Sequence, residues 1–202
     1  MACEVNGMSD ARIGEALIKE VIEEELKDMP PEEVPPLTPF AARVESEQEQ
    51  RLVTQLAKMV CIIGDRVAGD QELRDVIDGI AVSSGSKRDN FKMVADKVFE
   101  HGITWERIAV LFYVAGKLAV KMVEAHLPES VMEILRWTVD FFKKHLLAWI
   151  RDQGGWIYSF PELAQLSMQS VSMMSAHSYG LVLIFVAGLA IGSIITWRLS
   201  RN

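Results

Sequence analysis

The chain has 202 residues, of which half are hydrophobic, with a formal net charge of −7, four His and two Cys. At roughly 100–200 residues per domain, this length predicts one domain with its own apolar core. Cys3 and Cys61 are too few for a disulfide-built scaffold, and the negative charge argues against a nucleic-acid partner, whose phosphates attract cations.

The acidic residues are concentrated near the N-terminus. Residues 1–50 hold thirteen acidic and four basic side chains, a net charge of −9, so the other 152 residues carry about +2. Such a run usually forms a solvated surface. The first ten residues have neither a basic start nor an apolar run, which predicts no signal peptide and makes the reducing cytosol the expected compartment.

Helical periodicity recurs along the chain, without the strict alternation typical of strands. Residues 1–8 are expected to be flexible. The first helix is expected to begin with Ser9 or Asp10 as its N-cap and to run to about Lys27. Five of the seven prolines lie within 29–40, which predicts an extended loop because proline cannot continue a helix.

A second helix is predicted over about 43–68. Its apolar residues form one continuous helical face and comprise Leu52, Leu56, Val60, Ile63 and Val67. Gly64 interrupts this helix, and because glycine costs about 1 kcal/mol in a helix interior, we expect something to pack closely there. Asp65 follows on the polar edge. By spacing alone, the helix packs in its own core or in a partner's groove, and the core is the commoner outcome.

Short helices are predicted at about 71–81 and 88–100. Thr104 should then cap a helix that is apolar nearly all round, and such a helix is expected to lie at the centre of a bundle. A further apolar helix opens at Glu129, so that 104–150 forms a hairpin. Gly154 and Gly155 break the chain after it, and Pro161 is expected to begin the segment that leads to the C-terminus.

The C-terminal segment is uncharged between Glu162 and Arg198, and residues 180–197 read GLVLIFVAGLAIGSIITW. Eighteen residues at 1.5 Å each span about 27 Å, close to the hydrocarbon thickness of a bilayer. We therefore predict a C-terminal membrane anchor at 180–197, joined by a connecting segment at 157–179. A buried core helix is the alternative, which fits the marginal length.

Several residues of this predicted anchor suit a membrane helix. Gly188 and Gly192 form a Gly-x-x-x-Gly pair that allows two helices to approach, although small residues also fit a groove. Ser193 is a candidate control point, since a phosphate there would oppose insertion. Trp197 and Arg198 suit the interface with water, and Gly180 begins the segment.

Three stretches resemble the homology motifs of one family. TWERIAVLFYVAGKLAVK (104–121) and WTVDFFKKHLLAWIRDQGGW (137–156) are similar to the first and second motifs of the Bcl-2 family of cell-death regulators, and IIGDRV (62–67) resembles its third, the BH3 helix. The resemblance implies an all-α Bcl-2-type bundle at 9–156, with eight or nine helices around the central apolar hairpin, followed by the C-terminal transmembrane helix.

The resemblance also implies three sets of site residues. The BH3 motif comprises Leu56, Val60, Ile63, Gly64, Asp65 and Val67. The groove that receives BH3 helices comprises Trp105, Glu106, Arg107, Leu111 and Phe112. The second homology motif comprises Trp149, Asp152, Gly154, Gly155 and Trp156. Arg107 matches the groove arginine that pairs with an incoming BH3 acid. Val60 replaces the family's usual Leu, and Glu106 replaces a Gly, so we expect Glu106 to crowd the groove or to repel a BH3 Asp.

The local sequences resemble most the pore-forming executioner members of this family. They imply a pro-apoptotic effector that oligomerises in the mitochondrial outer membrane after activation, moving there from the cytoplasm or anchored there. The implied partners are BH3-only activator helices, pro-survival family members, further copies of the chain in homodimers and higher oligomers, and the lipids of that membrane. The alternative is a tail-anchored, pro-survival-type protein that sequesters BH3 helices without forming pores.

The four His lack metal-ligand spacing, and the chain has no Gly-rich phosphate loop and no nucleophile elbow. We therefore expect no enzymatic activity, no cofactor and no metal.

Overall fold

The structure is a computed structural model that describes residues 2–38, 44–67, 71–82 and 86–168. All regular elements in these ranges are helical, which confirms the predicted all-α class. The α-helices are α1 (Ala2–Glu25), α2 (Glu47–Val67), α3 (Gln71–Val82), α4 (Lys87–Val98), α5 (Trp105–Glu124), α6 (Glu129–Phe141), α7 (Leu147–Asp152) and α8 (Trp156–Met168). A π-helical turn, Phe142–Leu146, joins α6 to α7.

Helix α5 lies at the centre of the bundle, as its sequence predicts. Most of its residues are buried, and α1, α2, α3, α6 and α8 all pack against it. Its N-terminus is capped as expected, because the Thr104 hydroxyl accepts a hydrogen bond from the amide of Arg107 at 3.2 Å. A helix surrounded in this way fixes the positions of the elements around it.

The start of α1 corrects the prediction. The helix begins at Ala2, so neither Ser9 nor Asp10 is its N-cap, and residues 2–8 continue it. Both side chains bind distant partners instead. The Ser9 hydroxyl donates to Glu49 at 2.8 Å, and the Asp10 carboxylate accepts from the amide of Trp156 at 3.2 Å.

The helix predicted to begin at Glu129 is interrupted by the π turn. The amide of Leu147 bonds to the carbonyl of Phe142, five residues earlier, where an α-helix would use the residue four positions back. Phe142 is fully buried against Gly14 of α1, and a Cβ at Gly14 would lie 2.1 Å from its ring. The turn therefore lies where this ring occupies the α1–α6 interface.

Helix α8 corrects the expectation for Pro161. The proline lies inside the helix and does not begin a connecting segment. It removes one amide and leaves the carbonyl of Ile157 without its helical partner. Ile157 is 68% exposed, so water can reach this part of the helix.

The predicted anchor at 180–197, with Gly180, Gly188, Gly192, Ser193, Trp197 and Arg198, lies outside the described residues. Among the helices that the structure does describe, none combines the length and the apolar character needed to cross a bilayer.

Candidate functional site

The predicted BH3 motif lies on α2, and its first three anchors face the core. Leu56, Val60 and Ile63 are buried where α2 packs against α1 and α5. Val67 is the last residue of the helix. The commoner outcome for such a helix, packing within its own fold, is therefore the one that the structure shows.

Gly64 allows α2 to lie directly on an aromatic ring of α5. A Cβ at this position would lie 2.1 Å from Cγ and Cδ2 of Tyr113, far inside van der Waals contact. The expected close packing at Gly64 is thus confirmed, and its partner is Tyr113. One feature could have pointed to Tyr113: it lies in the apolar run of the central helix, and a tyrosine buried there needs a hydrogen-bond partner for its hydroxyl.

That partner is the acid of the BH3 motif. The hydroxyl of Tyr113 donates to Asp65 at 2.9 Å, and burial together with this hydrogen bond raises the pKa of the tyrosine. Lys117, one turn further along α5, places its Nζ 3.9 Å from the same carboxylate and 5.0 Å from the centre of the Tyr113 ring. The acid is therefore bound by α5 of its own fold.

Lys117 also joins α5 to α1. Its Nζ lies 2.6 Å from the carboxylate of Glu25, whose side chain is only 7% exposed. One lysine thus bridges a buried acid on α1 and an exposed acid on α2. Removing one member of such a partly buried pair leaves a charge without its counterion.

Cys61 lies on α2 beside the same Glu25. Burial, followed by the negative charge of Glu25 and a hydrogen bond to it, raises the pKa of the thiol to about 12. The thiolate is therefore almost absent at neutral pH, and a protonated thiol is a poor nucleophile. Cys61 thus acts as a small packed side chain in this state.

The predicted groove arginine is engaged within its own loop. Arg107 donates to the carbonyl of Gly102 at 2.8 Å. Glu106 is half-buried in the first turn of α5, and the side chain that lies against Gly64 is that of Tyr113. The pairing of Arg107 with an incoming acid, and the crowding by Glu106, both concern a bound partner and stay predictions.

The remaining groove residues lie in the core together with the second homology motif. The ring of Trp105 packs 5.1 Å from Trp149 and 5.6 Å from Trp156. Phe112 lies 6.4 Å from Trp156, and Leu111 is fully buried. The two motifs, distant in sequence, therefore form one aromatic cluster.

Asp152 is exposed at the end of α7, and the two glycines after it turn the chain into α8. Gly154 and Gly155 have φ values of +96° and +85°, which L side chains rarely adopt. A Cβ at Gly155 would also lie 2.6 Å from Asp10 of α1. Burial raises the pKa of Asp10, against the hydrogen bond from the amide of Trp156 and the nearby charge of Arg151.

A further residue of α2, whose role was not predicted, joins the BH3 helix to α8. Arg66, in the last turn of α2, donates to the carbonyl of Leu166 at 2.7 Å and to that of Ser167. These carbonyls lie in the last turn of α8 that the structure describes. The partners are about a hundred residues apart, so local sequence carries no signal of this contact.

Among the described residues, no cluster of three or more His, Cys, Asp or Glu could hold a metal ion. The described contacts hold α2, the helix that carries the BH3 motif, against α1, α5 and α8.

Comparison with known proteins gives consistent results. The model of the Bcl-2 family, described as apoptosis regulator proteins, matches residues 60–156. Apoptosis regulator BAX of Bos taurus is 34% identical over 145 residues, which are 71% of this chain and 69% of that protein. Bcl-2-like protein 1 of Homo sapiens is 32% identical over 98 residues, which are 45% of this chain and 42% of that protein.

The fold is similar to that of a solved complex. The crystal structure of Trichoplax adhaerens trBcl-2L2 bound to trBak BH3 has a TM-score of 0.59 at 18% identity, covering 76% of this chain and 98% of that chain.

Proposed function

The chain belongs to the Bcl-2 family of apoptosis regulators, and from this premise we propose that it is a pro-apoptotic effector. In this role it oligomerises in the mitochondrial outer membrane and permeabilises it after activation by BH3 helices. The similarity to BAX over two thirds of the chain supports the effector branch.

The observation that carries the proposal is the position of α2, whose first three BH3 anchors are part of the core. Burying an aliphatic side chain of this size contributes about 1.5–3 kcal/mol, so Leu56, Val60 and Ile63 together hold α2 by roughly 5–9 kcal/mol. An α2 that leaves its fold must bury the same face elsewhere. The equivalent site on a second copy provides such a place, and exchange of α2 between copies would produce dimers.

The contacts at the edges of α2 are polar and exposed enough to be exchanged. Asp65 is bound by Tyr113 and Lys117, and Arg66 by the end of α8. An incoming BH3 helix carries an acid of its own, which can compete for the same cations. We therefore propose that activation begins with the exchange of these contacts.

The proposal includes the location and the partners. The protein rests in the cytoplasm or at the mitochondrial outer membrane, with 180–197 as its anchor. Its partners are BH3-only activator helices, pro-survival family members, further copies of itself and membrane lipids. We propose no catalytic activity, no cofactor and no nucleic-acid partner.

Release of dye from liposomes tests the effector role. The full chain with an activator BH3 peptide should release the dye. Ile63→Asp, at a buried anchor, should abolish release, whereas Ile62→Asp should retain it because this neighbour on the same helix is 44% exposed. Circular dichroism must first show that both variants are helical. If the wild type releases no dye at any peptide concentration, the effector role is wrong.

The second candidate is the pro-survival-type protein that sequesters BH3 helices without forming pores. The similarity to Bcl-2-like protein 1, and the fold shared with a protein solved with a bound BH3, favour it. It predicts stoichiometric binding of BH3 peptides, no dye release and protection of cells on expression. Peptide binding by calorimetry, measured beside dye release, distinguishes the two candidates.

A further inference from the structure

A crevice between α4 and α6 has a basic rim and an aromatic floor. Its lining comprises Arg88, Phe91, Lys92, Trp137, Asp140, Phe141, Lys144 and His145. Phe91 and Phe141 are buried, and the half-buried ring of Trp137 lies 6.4 Å from that of Phe91. The centre of the His145 imidazole lies 4.6 Å from the centre of the Phe141 ring. None of these contacts belongs to the α2 site.

The charge of the rim is opposite to that of the whole chain. Three exposed cations, Arg88, Lys92 and Lys144, line the crevice with a single carboxylate, that of Asp140. The Nζ of Lys92 already forms an ion pair with the carboxylate of Asp96, 2.6 Å away. Arg88 and Lys144 have no ion-pair partner within the described part of the chain. Two cations are therefore available to an anion from outside.

The interior behind the rim is mainly apolar. A second, smaller crevice shares Phe91 and Trp137 with the first, and its other lining residues are Ile80, Lys87, Leu118, Met122, Ser130 and Ile134. The apolar floor of the crevice itself comprises the rings of Phe91, Trp137 and Phe141. A docked amphipathic helix would need an apolar groove several residues long, so this short floor fits a smaller group better.

We propose that this crevice docks the folded protein on an anionic membrane surface. Lipid phosphates lie on Arg88 and Lys144, and Trp137 lies among the headgroups, where amphipathic aromatic rings are favoured. The apolar sequence of 180–197, predicted to be an anchor, would supply a second membrane contact, and stable attachment generally needs two signals. The inference rests on the proposed function only in that the protein must meet a membrane, since docking precedes any pore.

Vesicle flotation with the full chain, without activator, tests the docking. Vesicles of phosphatidylcholine alone are compared with mixed phosphatidylcholine–phosphatidylserine vesicles. Each Lys or Arg near an anionic surface contributes on the order of 1 kcal/mol, about fivefold in partition, so Arg88→Gln/Lys144→Gln should weaken binding to the mixed vesicles about 25-fold. Binding to phosphatidylcholine alone should not change.

A second double variant controls for net charge. Lys27→Gln/Arg51→Gln removes two cations whose side chains are 70% and 73% exposed on other elements, and it should bind as the wild type does. Arg88→Lys/Lys144→Arg should also bind normally, which separates docking from a folding defect.

Any of three results would overturn the docking site. The first is that the control variant loses as much vesicle binding as Arg88→Gln/Lys144→Gln. The second is that the wild type shows no preference for phosphatidylserine, and the third is that soluble inorganic phosphate or an acidic peptide releases the protein fully from the vesicles. Normal docking without dye release on activation would refute the effector role alone.

Discussion

Replacing Gly64 by alanine should force α2 away from α5. The new Cβ would lie 2.1 Å from two ring atoms of Tyr113, whereas ordinary contact begins at 3.4 Å, so helix and ring must separate by about 1.3 Å. The ring cannot simply rotate, because its hydroxyl is bound to Asp65 and Lys117 lies over its face.

The magnitude follows from the cost of overpacking a core. Such a change destabilises a protein by about 1–3 kcal/mol. Alanine regains about 1 kcal/mol of helix propensity that glycine costs, which leaves a net loss of up to about 2 kcal/mol. Since each kcal/mol shifts the Tm of a chain of this size by about 2–4 °C, the variant should melt up to roughly 8 °C below the wild type. Thermal unfolding followed by circular dichroism measures this shift.

Cys61 reports whether α2 itself has moved. In the fold its thiol pKa is about 12, against an ordinary value of 9.0, so release of α2 from Glu25 increases the thiolate fraction at neutral pH by up to about 1000-fold. In a Cys3→Ser background, Gly64→Ala should therefore react faster with iodoacetamide. The rate in denaturant gives the upper limit.

The double variant Gly64→Ala/Tyr113→Leu provides the control. Leucine lacks the ring atoms that meet the new Cβ, so the second change should recover part of the stability lost in the first, measured as a coupling energy. A Gly64→Ala protein that melts and alkylates like the wild type would refute the reasoning, because the steric contact would then have no energetic consequence.

Three further predictions concern polar contacts. Lys117→Met should lower the free energy of unfolding by about 1–3 kcal/mol in a urea titration, because Glu25 loses its counterion. The double variant Glu25→Gln/Lys117→Met should recover much of this lost stability. A Lys117→Met protein as stable as the wild type would contradict the prediction. Burial raises the pKa of Asp10, so its contribution to stability is complete below pH 3.8 and is lost as the pH rises through the folded pKa. The free energy of unfolding of Asp10→Asn should therefore fall less with rising pH than that of the wild type, in unfolding experiments across acidic pH. Parallel falls in the two proteins would contradict the prediction. In Arg66→Ala, the amides in the last turn of α8 should exchange hydrogen about tenfold faster, since a hydrogen bond contributes about 1–1.5 kcal/mol. Unchanged exchange rates would show that the contact is dispensable.

The local sequence was enough to predict which residues are buried where burial follows the helical period. The run from Ile108 to Val123 contains two charges and is therefore apolar on every face, which predicts a central helix, and α5 is that helix. The spacing of Leu56, Val60 and Ile63 likewise predicts their shared buried face. Thr104 caps α5 because its signal and its partner lie within one turn.

Local sequence failed where a side chain binds a partner far along the chain. Asp10 has the residue type of an N-cap, yet its partner is Trp156, and no periodicity relates the two. Arg66 resembles any cation at a helix C-terminus, yet it binds α8. The π turn depends on how the ring of Phe142 meets α1, which a single helix cannot reveal.

The link between Asp10 and Trp156 has a consequence for synthesis. Two hydrogen bonds join residues 146 positions apart, one to the carboxylate and one to the backbone carbonyl of Asp10. At about 5–20 residues per second, a ribosome needs roughly 7–30 s to add that length of chain. Throughout this interval Asp10, near the N-terminal end of α1, lacks its final partner. Completion of the fold must therefore follow translation of α8.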